Sequence, residues 1–411
     1  MTVLSGADLV LPDRIVAAGT LHIDHGRIVR VEDDARADAS SPDFSGHTIV
    51  PGFIDVHVHG VGGIDALDGG DAVARLASRM PAYGVTAFCP TTVACEPAAL
   101  IDLLAQVRAR LATPLAAGAR VLPAHLESNF INPEYSGAQP SACLRTRVVL
   151  PSASVAAPTL HDHAFTAQDI LRVIEQHADA VAIVTMAPEI EGGLDLVVWL
   201  TGLGIRVSLG HSGASYDEAL VAIAAGARQA THLFNRMPPL HHRRPGLVGA
   251  VLESPSVVAE LICDGVHVHP ALVRVAVRSK TVDGVMAVTD GASVSGLEPG
   301  ARGALGGQPV VHDGTCARLT DGTLAGSVLT MDEAYRRLTG PLGFSPVEAV
   351  RLCSTTPARA LGLEGHGVIA DGAVADLVVL DRDGQVVQTY VDGRLVHARS
   401  REGNSGLQPP V

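Results

Sequence analysis

Lysine is nearly missing from this chain: Lys280 is the only one, against 29 arginines among 411 residues. Any chemistry that needs a lysine side chain has one position to draw on. The six cysteines (Cys89, Cys95, Cys143, Cys263, Cys316 and Cys353) are scattered, with no CxxC pair. They read as reduced core thiols of a cytoplasmic protein rather than a disulfide framework. No apolar run reaches transmembrane length. The opening "MTVLSGADLVLPDR" has no basic segment followed by an apolar one, so no signal peptide is expected. Positive charge is in short supply. The net charge is −13 and the pI about 5.7, which argues against nucleic acid or an anionic membrane as partner. It leaves room for a local basic pocket that takes a small anion.

What remains is ample apolar material. Hydrophobic residues make up 47% of the chain and charged ones 18%, enough to bury a large core. Residues 1–50 read as short strands and turns, as in "ADLVLP" and "GTLHIDHGRIVRVED". Residues 367–396 repeat that β-branched alternation broken by Gly and Asp. The two ends together predict a small β-sandwich domain from residues 1–50 and 361–411, with a frayed tail at 400–411. Between them, at 51–360, apolar strands alternate with Ala-rich helical stretches. Strands are expected at 54–58, 85–90, 121–126, 181–186, 206–209, 229–231, 257–262 and 285–289. Helices are expected over "DAVARLASRM", "PAALIDLLAQVRARL", "AQDILRVIEQHA", "YDEALVAIAAG" and "PALVRVAVRS". Eight such units predict an α/β fold, a (β/α)8 TIM-type barrel.

Catalytic groups in such barrels gather at the C-terminal ends of the strands. Here the first strand ends in His57 and His59, the third in Glu127, the fifth in His211 and the sixth in His232. The seventh is followed by Asp264 and His267, and the last ends at Asp290. Each residue alone has a bland reading: a hydrogen-bonded core histidine, an ion-pair partner, a helix N-cap. Four histidines and two carboxylates at successive strand ends are hard to satisfy that way. A divalent cation explains them together, because neutral imidazoles and carboxylates suit Zn²⁺, Fe²⁺, Mn²⁺ or Co²⁺. Such an ion lowers the pKa of bound water and polarises a carbonyl. Asp290 is then the candidate to move a proton from that water to a leaving amine.

Several stretches carry a resemblance through most of the chain: "PGFIDVHVHG", "HLE", "LGHSGAS", "THLFNRM", "RRPGLVGAVL", "DGVHVHP", "VTDG" and "GTLAGSVLTMDEA". They resemble the N-acetylglucosamine-6-phosphate deacetylase family of the amidohydrolase superfamily. The resemblance implies a homodimeric cytoplasmic hydrolase that converts N-acetylglucosamine-6-phosphate to glucosamine-6-phosphate and acetate. It implies one or two divalent ions, zinc foremost, with iron, manganese or cobalt as alternatives. Glu127, His211 and His232 would hold the first ion; His57 and His59, sharing Glu127, a second. Asp290 would serve as general base and then acid, and His267 would polarise the acetyl carbonyl. Asn235 and Arg236 would approach the phosphate, with Arg243 reaching it across the dimer interface. Ala138, Gln139 and Leu324-Ala325-Gly326 would line the sugar pocket. Related barrel hydrolases bridge two metals with a carboxylated lysine on the fourth strand. That strand has no lysine here, so Glu127 would take the bridging role.

The chain departs from the family pattern at three places. Ser128-Asn129 stands where Gly-Pro is usual, Gln139 where a sugar-contacting histidine is usual, and Arg236 where a small residue is usual. These positions are where a different substrate preference is expected to be written. The alternatives are a deacylase of another amino-sugar phosphate, such as N-acetylgalactosamine-6-phosphate, or a barrel that serves as a non-catalytic scaffold.

Overall fold

Eight parallel strands close on themselves in the computed structural model, which describes residues 1–33, 43–151 and 165–400. The strands are β1 (Phe53–Val58), β2 (Val85–Thr92), β3 (Ala124–Glu127) and β4 (Val181–Met186), followed by β5 (Arg206–Leu209), β6 (Gln229–Ala230), β7 (Val258–Ile262) and β8 (Val285–Val288). They are hydrogen-bonded in that order. The ring shuts where the Asp290 N–H donates to the His57 carbonyl and the His59 N–H to the Gly291 carbonyl, both at 2.9 Å. All eight expected strands are present, within two residues at most ends. The third is split: Arg120–Val121 pairs with β2, and Pro123, which has no N–H to give the ladder, separates it from β3.

Each strand is followed by a helix, and the five predicted helices are among them. Gly193–Gly202, Gly246–Glu253 and Met331–Thr339 complete the ring of eight. The strands are buried on both faces, as β1 and β2 show along their whole length. Hence they read as continuous apolar runs rather than as alternation.

The two ends of the chain build one seven-stranded sheet. Its order is Arg394–Ala398, Val386–Val391, Leu377–Leu380, Thr48–Pro51, Thr2–Val10, Ile15–Asp24 and Arg27–Glu32. The sheet folds around its own core of Leu4, Leu9, Leu21, Ile23, Ile49 and Leu377, the small β-sandwich domain expected of the termini. A further three-stranded antiparallel sheet, Arg302–Leu305, Gln308–His312 and Ala317–Leu319, was not foreseen. It lies between β8 and its helix and brings Leu305 to the barrel mouth. The expected frayed tail falls outside the described residues, apart from its first residue.

Candidate metal centre and active site

The strand ends aim their polar side chains at one point. Glu127, the last residue of β3, is 3% exposed. Its Oε1 lies 2.8 Å from His211 Nε2 and 2.9 Å from His232 Nε2, and the two imidazole nitrogens are 3.1 Å apart. On the opposite side, His57 Nε2 and His59 Nε2 lie 3.3 Å apart. Asp290 Oδ1 sits 3.3 Å from the first and 3.1 Å from the second. Glu127 Oε2 is 3.5 Å from His59 Nε2, so this one carboxylate faces both histidine pairs.

The donor set fits a cation. His211 Nδ1–H donates to the Tyr135 carbonyl at 2.7 Å, which fixes the tautomer and leaves a lone pair on Nε2. That lone pair faces a carboxylate oxygen at 2.8 Å. Acceptor against acceptor, both buried, is repulsive unless positive charge lies between them. His57 is held the same way: Nδ1–H donates to Glu260 Oε2 at 2.8 Å, and Nε2 turns to the cluster. Burial opposes a charge on His57, but Asp290, Glu260 and Glu127 outweigh it and lift the ring's pKa to about 10. That pull on a ring proton is one a bound cation would answer in its place, and both Glu127–His211–His232 and His57–His59–Glu127 could hold a metal ion. A third grouping, His57–His125–Glu260, has no free ligand on His125, whose nitrogens bond the Val56 carbonyl and Thr185 Oγ1.

The backbone is bent to make this convergence. His211 (φ 48°), His232 (φ 30°), Phe234 (φ 79°), Arg236 (φ 52°) and Asp290 (φ 49°) all lie in the left-handed region. Non-glycine residues there cost roughly 1–3 kcal/mol each and cluster at functional sites. Gly326 makes room for one of these bends: a Cβ on it would meet the Asp290 carbonyl oxygen at 2.7 Å.

Above the cluster opens a cavity of about 450 Å³. Of the residues singled out in the sequence, His59, Glu127, Ala138, Gln139, His211, His232, Asn235, Arg236, His267, Asp290, Leu324 and Gly326 line it. His57 lies beneath, fully buried. Ala325 does not line it; its side chain packs into an apolar cluster with Ala292, Leu305 and Val310. Arg243 lies in an adjoining cavity of about 780 Å³ that shares Tyr135 with the first. Within its own chain, therefore, Arg243 is not part of the cavity.

His267 lines the same cavity as Asp290. Its Nδ1–H donates to Asp264 Oδ2 at 2.6 Å. Burial works against protonation of the ring, but Asp264, together with the Cys316 sulfur 3.8 Å from Nε2, more than offsets it and raises the pKa to about 10. His267 is thus a cationic donor at neutral pH. At the outer end, Arg236 is exposed and lies across Gly137, where a Cβ would meet its Nε at 2.5 Å. No carboxylate pairs with Arg236 among the described residues.

The departures at 128–129 have a different purpose from the one expected. Ser128 Oγ donates to the Thr185 carbonyl at 2.5 Å. Asn129 Nδ2 donates to the carbonyls of Cys95 and Cys143, both at 2.8 Å. Both residues are buried and neither lines the cavity; they pin the loop after β3. Gln139 does face the cluster. Its Oε1 accepts the Ala94 N–H at 2.7 Å, and its Nε2 donates to Glu127 Oε2.

Sequence reasoning gave Asp264 no role and passed over Glu260. The signal for the latter was present: a lone acid in the apolar run "VVAELI" poses the same cost of burial as Glu127. Tyr135, Phe234 and Met237, which also line the cavity, carried no such signal.

Residues 48–396 match the family model described as "Amidohydrolase family". The chain belongs to the amidohydrolase family. It is 38% identical over 410 residues to N-acetylglucosamine-6-phosphate deacetylase of Rattus norvegicus, covering 95% of each chain. It is 34% identical over 349 residues to N-acetylgalactosamine-6-phosphate deacetylase of Escherichia coli, covering 84% of this chain and 87% of that one. Among solved structures it resembles a mutant N-acetyl-D-glucosamine-6-phosphate deacetylase of Mycobacterium smegmatis in complex with N-acetyl-D-glucosamine-6-phosphate. There the TM-score is 0.84 at 30% identity, over 96% of this chain and 99% of that one.

Proposed function

We propose that this amidohydrolase removes the acetyl group from N-acetylglucosamine-6-phosphate, giving glucosamine-6-phosphate and acetate. The observation that carries the reading is the buried Glu127–His211–His232 cluster, with Asp290 and the cationic His267 both lining the cavity above it. Glu127, His211 and His232 would hold a divalent ion, zinc foremost among those these ligands accept, and it would supply Lewis acidity and a water of lowered pKa.

The chain's own groups do the rest. Asp290, ionised at neutral pH, takes the proton of the attacking water and later returns it to the leaving nitrogen. His267 donates Nε2–H to the carbonyl oxygen as negative charge gathers there. Arg236 and Asn235 receive the phosphate at the outer end of the cavity, where a planar guanidinium donates two hydrogen bonds to an anion. Arg243 adds a phosphate contact from the partner subunit of a homodimer, and the enzyme is cytoplasmic. The cavity, at about 450 Å³, falls within the 300–1,000 Å³ range typical of small-molecule sites and suits a phosphorylated monosaccharide.

A second reading, N-acetylgalactosamine-6-phosphate as substrate, is favoured by the similarity to the Escherichia coli enzyme and by Gln139, tied to Glu127 where a sugar-contacting histidine is usual. Comparing kcat/KM on the two phosphorylated epimers and on unphosphorylated N-acetylglucosamine tests both. Preference for the glucosamine epimer with dependence on the phosphate supports the first reading. Activity indifferent to the phosphate overturns both.

A further inference from the structure

The three-stranded sheet over residues 302–319 supplies no group to the chemistry above, yet it touches four loops of the barrel mouth. Ser293 Oγ donates to the Ala304 carbonyl at 2.6 Å and accepts the Ala304 N–H at 2.9 Å. The Gly306 N–H donates to Asp65 Oδ2 at 2.9 Å. Gln308 Nε2 donates to the Ala138 carbonyl at 2.6 Å. Cys316 Sγ lies 3.8 Å from His267 Nε2. Of the described residues of this sheet, Leu305 alone lines the cavity, and it is 2% exposed.

Its neighbours in the chain place Leu305 at the inner, reacting end. Ala304 is clamped to Ser293, three residues beyond Asp290. Gly306 is tied to Asp65, and the next residue, Ala66, donates its N–H to the His59 carbonyl at 2.7 Å. Leu305 also packs with Val93, Ala138, Ala292 and Val310 in one apolar cluster, which leaves it little room to move aside. Other large apolar side chains in the lining stand elsewhere. Phe234 and Met237 flank Asn235 and Arg236 at the outer end, and Leu324 is partly exposed.

The carbon of an amide carries three substituents in one plane. Its oxygen is the atom His267 meets, and its nitrogen leads to the sugar and on to Arg236. The acyl chain takes the third direction, which stays at the inner end and calls for an apolar wall. We propose that Leu305 is that wall and sets the length of the acyl group removed, admitting acetyl and excluding longer chains. The inference rests on the deacetylase reading above, since it takes the substrate to be an N-acylated amino-sugar phosphate, but not on which epimer that is.

The test compares kcat/KM on the N-acetyl, N-propionyl and N-butyryl derivatives of glucosamine-6-phosphate, with the galactosamine series in parallel, for the metal-loaded full-length enzyme. The wild type is expected to prefer acetyl. Leu305→Ala should raise the butyryl-to-acetyl ratio about 10- to 200-fold, the discrimination a hydrophobic pocket exerts over a methylene. Leu305→Val should move it the same way by less, and it decides if the alanine variant fails to fold. Met237→Ala, which widens the cavity at its outer end, should leave the ratio as in the wild type. A merely structural fault lowers kcat/KM on every acyl group alike and does not move the ratio. An unchanged ratio in the folded Leu305 variants, an equal shift in Met237→Ala, or a wild type without preference for acetyl overturns the proposal and leaves the deacetylase reading standing. A wild type that hydrolyses neither sugar series at any acyl length overturns both.

Discussion

Asp290→Asn isolates proton transfer from everything else Asp290 does. Its backbone is fixed on both sides: the N–H donates to the His57 carbonyl, and the Ser327 N–H donates to its carbonyl at 2.7 Å. An asparagine of the same size keeps that backbone and can keep an oxygen near His57 and His59. What it loses is a group able to take up a proton. One positioned acid–base group is worth about 10²- to 10⁴-fold, or about 2.7–5.5 kcal/mol of barrier. Asp290 is assigned two successive transfers, so the upper end is expected. The assay follows glucosamine-6-phosphate release for kcat, with equilibrium binding of substrate and metal content measured in parallel. The expected result is binding and metal content close to wild type and turnover near 10⁻⁴ of it. Turnover close to wild type would remove Asp290 from the mechanism, and loss of metal alongside turnover would recast it as chiefly a ligand.

Further outcomes are expected. His267 owes its charge to Asp264, so activity should hold through neutral pH and fall as pH rises through about 10; Asp264→Asn should move that alkaline limb to lower pH, and an unmoved limb would sever the link. Arg236→Ala should raise KM for the phosphorylated substrate about 10- to 100-fold, the worth of a charged hydrogen-bonded contact, with little change on the unphosphorylated sugar. If Arg243 acts across a dimer interface, inactive Asp290→Asn chains mixed with Arg243→Ala chains should regain activity in hybrid dimers; no rescue would keep Arg243 out of the partner's site. Lys280 Nζ donates to the carbonyls of Val251 and Ser254 at 2.8 and 2.6 Å. Lys280→Met leaves both unsatisfied and should cost about 2–4 kcal/mol, read as a lower Tm with metal content unchanged.

The barrel was legible because its strands are buried on both faces and end in chemically conspicuous residues. His57, Glu127, His211, His232 and Asp290 announce themselves by polarity at the close of apolar runs. The sheet over 302–319 was also written in the sequence: Gly306-Gly307, at φ 56° and 81°, is the two-residue turn that closes Leu305 onto Gln308. It escaped notice because its strands are only three to five residues long. Distances across the ring were not legible. That Ser128 and Asn129 turn away to pin a loop, while Gln139, 12 residues beyond Glu127, returns to it, depends on how that loop folds back over the barrel. Glu260 was missed because it sits within a strand rather than at its end.

The seven-stranded sheet has a consequence for the order in which the chain is made. Thr48–Pro51 is flanked on one side by Thr2–Val10, available at once, and on the other by Leu377–Leu380. A ribosome must deliver more than 300 further residues before that second edge is covered. Until then the nascent chain carries an unpaired, largely apolar strand edge, an invitation to pair with another chain. A chain cut short before residue 377 should therefore accumulate as aggregate even if its eight barrel strands are complete. The last strands to emerge contribute no residue to the candidate metal centre, and they act as the latch that makes the finished barrel safe to release.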